Sequence, residues 1–179
     1  MIKLVDILQE IGDATNPVPY LKTSEKTDKY ETRIKYEFNI GEDTYIVSLF
    51  VSDDLDITLP SNEGQPKGST GMVVMFGLKT DKYAAGVGDT TRTNKGVPYQ
   101  VMSTVTKIIK DYADKHPELV EISYEPVKKD KSDQGRQKLY KAYVTKALPN
   151  WKYREDDYGY VYLTKPPEEK KSLLKRIFK

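Results

Sequence analysis

Gly71-Met-Val-Val-Met-Phe-Gly-Leu78 and Val101-Met-Ser-Thr-Val-Thr-Lys-Ile-Ile-Lys-Asp-Tyr112 are the two stretches whose reading decides the fold. The first carries no charge and reads as a strand covered on both faces. The second sets Val101, Val105, Ile108 and Tyr112 on one helical stripe, which Met102 and Ile109 widen. Pro117 ends that helix, because a prolyl ring blocks its continuation. A buried strand feeding a helix across a polar, glycine-containing loop (residues 88–98) is the nucleus of a mixed sheet.

Upstream, Ile34, Tyr36, Phe38 and Ile40 alternate with polar residues. Gly41-Glu42 supplies a turn, and residues 44–51 return as a second strand, so a hairpin is predicted. Residues 82–87 form a further candidate strand. Downstream, residues 120–124 read as a short strand. A helix is expected over about 134–147, capped by Ser132 or Asp133, with Leu139, Tyr143 and Val144 facing inward. Strands at about 151–154 and 158–164 follow, with Asp156-Asp157 as their turn. Leu4, Ile7, Leu8 and Ile11 have helical spacing up to Gly12, and residues 13–29 read as a loop or arm. The expected class is α+β: a mixed, mostly antiparallel sheet with a central helix and a second packing helix, in the order β-β-β-β-α-β-α-β-β. Its divisions are an N-terminal helix and arm (1–29), the α+β domain (30–165) and a basic amphipathic stub (166–179).

The chain has 179 residues, 37% hydrophobic and 31% charged, and 14 of them are Tyr. That length can bury a real core, and tyrosine supplies aromatic bulk with a polar tip. With no Cys, there is no disulfide, thiol nucleophile or thiolate zinc site; one His cannot build a multi-histidine metal centre. The net charge of +2 gives no general case for nucleic acid. No stretch is long and apolar enough to span a membrane, and the N-terminus, with Asp6 and Glu10 in its apolar pattern, does not read as a secretory signal. A soluble protein acting inside a cell is expected.

Two local patterns carry a resemblance. Arg92-Thr-Asn-Lys-Gly-Val-Pro98 leads into the central helix, and Asp133-Gln-Gly-Arg-Gln-Lys-Leu-Tyr140 opens the second. Together with the element order over about residues 31–165, they resemble the GCN5-related N-acetyltransferase fold. The resemblance implies that backbone N–H groups around Arg92, Asn94, Lys95, Gly96 and Val97 hold the pyrophosphate of acetyl-coenzyme A or another acyl-coenzyme A. It implies that Tyr140 is the general acid for the departing thiolate. A phenol with a pKa of roughly 10 suits that task. Glu37 or Glu125 is a candidate relay for the amine proton. The chain departs from the pattern as well. Gly96 falls on the first glycine, Arg92 stands one residue out of step with the basic position, and Pro98 replaces a small residue. Asp133 and Arg136 stand for the usual Asn and Ala, and Val144-Thr145 for a Gly-Phe.

The pairing of the two helices is also similar to uncharacterised proteins of tailed bacteriophages. That similarity implies a structural or interaction protein on a degenerate acetyltransferase-like fold, with no cofactor, located in the host cytoplasm or the virion. Its partners would be other protein chains reached through the termini, above all Leu173, Leu174, Lys175, Arg176, Ile177 and Phe178 on the basic stub. The alternative is an acyl-coenzyme-A-dependent N-acyltransferase. Three further groups read more simply as surface. Asp53, Asp54 and Asp56 precede Pro60 as a solvated turn rather than a metal site. His116 complements a helix C-terminus. Lys128, Lys129, Lys131, Arg136, Lys138 and Lys141 are interspersed with acids, as in a solvated face.

Overall fold

The computed structural model of the protein describes residues 16–53, 69–79, 98–125, 134–157 and 159–166. The described elements run β1 (Tyr20–Thr27), β2 (Thr32–Ile40), β3 (Asp43–Ser52), β4 (Thr70–Leu78), α1 (Pro98–Lys115), β5 (Leu119–Tyr124), α2 (Gln134–Ala147), β6 (Lys152–Glu155) and β7 (Val161–Thr164). They form a seven-stranded sheet in the order β1-β2-β3-β4-β5-β7-β6. Every neighbouring pair is antiparallel except β4 and β5.

The alternation in β2 and β3 sets the register. Ile34, Leu49 and Val74 lie in one row across three strands, and Tyr36, Val47 and Phe76 in the next. These side chains share a face, because cross-strand partners point the same way. Both helices cover that face. β4 and β5 are parallel, so α1 must cross over between them. β6 is antiparallel to β7, which is antiparallel to β5, so β5-α2-β6 is a second crossover in the same direction and lays α2 beside α1. One core results. It joins Val101, Val105, Ile108, Ile109 and Tyr112 of α1 with Val144 and Leu148 at α2, over Val47, Leu49, Ile122, Val161 and Leu163 of the sheet.

The predicted stripe of α1 is buried in full. Three other expectations are corrected. Residues 20–27 are not loop but the edge strand β1. Their pattern hid this, because an edge strand exposed over most of its length has no apolar face to show. The inward face of α2 is rotated: Tyr140, Val144, Ala147 and Leu148 meet the core, while Leu139 and Tyr143 are half-buried at its margin. β4 is covered on both faces only at its start, and Met75 is 37% exposed. The candidate strand at 82–87 and the helix at 4–11 lie outside the described residues.

Side chains pin β1 to α1. The Val18 N–H donates to Thr104 Oγ1 at 3.0 Å, and Tyr20 Oη donates to Asp111 Oδ2, which also accepts from Lys107. Partial burial works to raise the Asp111 pKa. The hydrogen bonds from Lys107 and Tyr20 and the charges of Lys107 and Lys115 outweigh it and hold the carboxyl below its ordinary range. Burial, and then the bond to Asp111, push the Tyr20 phenol well above its ordinary range.

Two stability measurements follow from this. Gly41 opens the two-residue turn closed by Ile40 and Asp43, with φ of 60° while Glu42 keeps a negative φ, the arrangement that places Gly first in a II′ hairpin. Nothing lies within 4 Å of a Cβ there or at Gly77. Gly41→Ala should therefore destabilise by about 1–2 kcal/mol through backbone strain alone, and Gly77→Ala by less, in denaturant titrations. For the clasp, the lowered Asp111 pKa gives stability that is complete above about pH 4 and lost as pH falls through the depressed value. The raised Tyr20 pKa gives stability complete below about pH 10 and lost as pH rises further. The gap in unfolding midpoint between the native chain and Tyr20→Phe should thus be flat from mildly acidic to mildly alkaline pH and should shrink at both extremes.

Candidate functional site: the fork between β4 and β5

β4 and β5 pair over only a few residues. Thr70 faces Leu119, and Gly71, Met72 and Val73 face Glu121, Ile122 and Ser123, with Val120 as the extra residue of a register shift. β5 ends at Tyr124, and Pro126 follows in the sequence, where it offers no N–H to a ladder. β4 runs on to Leu78 because β3 pairs with it along its whole length. Among the described residues β4 therefore overhangs the end of β5 beyond Val73 and Ser123; this open side of β4 is the fork, with Val74 and Tyr124 at its base.

The edge of β4 that faces the fork can be read from the ladder. Lys79 N–H donates to Thr44 O at 2.8 Å, which makes that a hydrogen-bonded pair. Such pairs alternate along antiparallel strands. Gly77 and Met75 therefore address β3, and the backbone N–H and C=O groups of Phe76 and Leu78 address the fork, where no strand pairs with them among the described residues; Val74 faces the same side, and its N–H closes the last β4–β5 pair on the Ser123 carbonyl. α1 runs back from this end of the sheet, so the positive end of its dipole lies here.

Tyr140 reaches into the fork from α2. Its ring lies 5.6 Å from that of Phe76 on β4 and 6.3 Å from that of Tyr124 on β5. α2 is held in place by Gln137 Nε2, which donates to Glu155 Oε1 on β6, and by the Lys141 ammonium, 4.6 Å from the centre of the Tyr153 ring. Tyr124 is 5% exposed, and its hydroxyl has no hydrogen-bond partner among the described residues; the buried hydroxyl of Tyr153 likewise has none at bonding geometry among them. Burial, and then the neighbouring Tyr153, Tyr140 and Glu155, push the Tyr124 phenol far above its ordinary range. Burial and the Glu155 carboxylate push Tyr153 up to about 12. Both are therefore neutral donors at physiological pH.

The remaining candidates disperse. Glu37 shares a row with Ile46 and Gly77, on the sheet face opposite Tyr140, and pairs with Lys79 at 2.8 Å. Glu125 follows Tyr124 at the open end of β5 and is exposed; its nearness raises the Tyr160 pKa. His116 stacks on Tyr112 at 4.0 Å and meets Glu118 at 2.8 Å, at the far end of α1. Asp53 accepts from Thr70 Oγ1 at 3.0 Å. Among the described residues no cluster of His, Asp and Glu could hold a metal ion, and no helix is long and apolar enough to cross a membrane. Arg92, Asn94, Lys95, Gly96, Val97, Asp54, Asp56, Lys128, Lys129, Lys131 and Leu173, Leu174, Lys175, Arg176, Ile177, Phe178 lie outside the described residues.

Phe76 and Tyr124 were not among the sequence candidates. Each sits in an apolar run and reads as core. The available signal was Pro126 two residues after the Tyr that ends a short strand. Comparison of the chain with protein-family models, with curated proteins and with solved structures finds no match.

Proposed function

We propose that the protein is an acyl-coenzyme-A-dependent N-acyltransferase whose reaction centre is the β4–β5 fork. The observation that carries this is the position of Tyr140, held between Phe76 and Tyr124 where the two strands part. The arm of coenzyme A is an extended chain with two amides. Such a chain can add to the open edge at Phe76 and Leu78 as a peptide adds to a sheet. The N-terminus of α1 would face the pyrophosphate. The amine attacks the thioester carbonyl carbon; the C–N bond forms and the C–S bond breaks. Tyr140 gives its proton to the departing sulfur, and the amine proton leaves through water, with Glu125 as the carboxylate at that end of the sheet. The phenolate of Tyr140 is then reprotonated from solvent.

One observation favours a second reading. α1 begins at Pro98, which has no N–H and adds a ring where a phosphate would approach. A chain that keeps the scaffold without the chemistry, as a phage-type structural or interaction protein, would tolerate that change.

Titration calorimetry with acetyl-coenzyme A separates the two. The enzyme reading expects binding in the micromolar range and acyl transfer to a primary amine. Tyr140→Phe, which keeps the ring contacts, should lower the transfer rate by about 10²-fold or more with little change in affinity. No heat at millimolar ligand sinks the enzyme reading and leaves the second.

A further inference from the structure

Tyr124 stands at the base of the fork, at the level of Val74, one residue beyond the last β4–β5 pair. Its hydroxyl is buried and makes no hydrogen bond among the described residues. A buried donor left unpaired costs about 1–3 kcal/mol relative to a paired one. An aliphatic residue at the end of β5 would pack against Phe76 and Tyr140 without that penalty. Tyr153, two strands away on the same sheet face, presents a second buried hydroxyl. The Lys141 ammonium and the Glu155 carboxylate flank this wall and offset each other in charge. The wall therefore offers neutral donors to a neutral acceptor.

We infer that Tyr124 selects the acyl group: its hydroxyl donates to an oxygen carried on the acyl chain beyond the thioester, so the fork takes a hydroxy- or keto-acyl group in preference to a plain alkyl one. This rests on the acyl-coenzyme-A reading of the fork. A thioester laid along β4 brings its acyl end to the place where the strands close, which is where Val74 and Tyr124 meet it. A site built to satisfy a substrate oxygen discriminates against the analogue that lacks it, because the protein donor is then left unpaired.

The test uses the full chain and two probes of equal carbon number, 3-hydroxybutyryl-coenzyme A and butyryl-coenzyme A. Binding is measured by calorimetry, and thermal unfolding is recorded for the native chain and Tyr124→Phe. The expected result is that the native chain binds the hydroxyacyl probe about tenfold more tightly. Tyr124→Phe should abolish that preference while its Tm is unchanged or higher, since the substitution removes an unpaired donor. Equal binding of both probes by the native chain overturns this inference and leaves the acyl-coenzyme-A reading standing. Binding of neither overturns both. A lower Tm for Tyr124→Phe, or a failure of that variant to fold, also overturns the inference, because the hydroxyl would then have a partner within the protein.

Discussion

The short parallel ladder between β4 and β5 is the constraint on which the rest of the molecule depends. It joins the antiparallel β1–β4 half to the β5–β7–β6 half, and it forces the chain through α1. The ladder stops at Val73 and Ser123, so the sheet opens at one end without losing continuity at the other. β3 pairs with β4 from Gly71 to Leu78 on its far side. β5 ends at Tyr124. A longer ladder would close the fork, and the loss of this one would separate the halves.

The two crossovers give the fork its contents. Because both helices lie on one face, α2 can lean Tyr140 across the gap while Val144 and Leu148 anchor it in the core. The aromatic contacts of Phe76, Tyr140 and Tyr124 span the place where backbone hydrogen bonds end. Edge-on aromatic pairs of this kind contribute about 0.5–1.5 kcal/mol each beyond the area they bury. The Tyr124 hydroxyl finds no hydrogen-bond partner in that packing among the described residues. Stability and a polar lining thus come from the same side chains. The clasp of Val18 and Tyr20 to α1 does similar work at the opposite edge, where β1 has little apolar surface of its own.

Much of this was legible in the sequence where periodicity is strict. Ile34 to Ile40 alternates, and Val101 to Tyr112 repeats at helical spacing, so β2, β3 and α1 follow directly. β1 was not legible, since Leu21, Lys22, Glu25 and Lys26 are exposed and the hydrogen bond that ties Tyr20 to α1 is made to Asp111, far along the chain. The face of α2 was misread because Gln137 and Lys141 meet the sheet through polar contacts that an apolar stripe does not reveal. Tyr140 was found through a local pattern. Phe76 and Tyr124 were not, because the length of a parallel ladder is a tertiary property that neither strand encodes alone.

The central claim is that the open edge of β4 receives an extended ligand. Amide hydrogen exchange read residue by residue by NMR, with and without acetyl-coenzyme A, tests it most directly. The account predicts that the amides of Phe76 and Leu78 exchange faster than those of Met75 and Gly77 in the free protein and become protected when the ligand is added. Amides at these two positions that are as protected as their neighbours without ligand, or unchanged with it, would contradict the account.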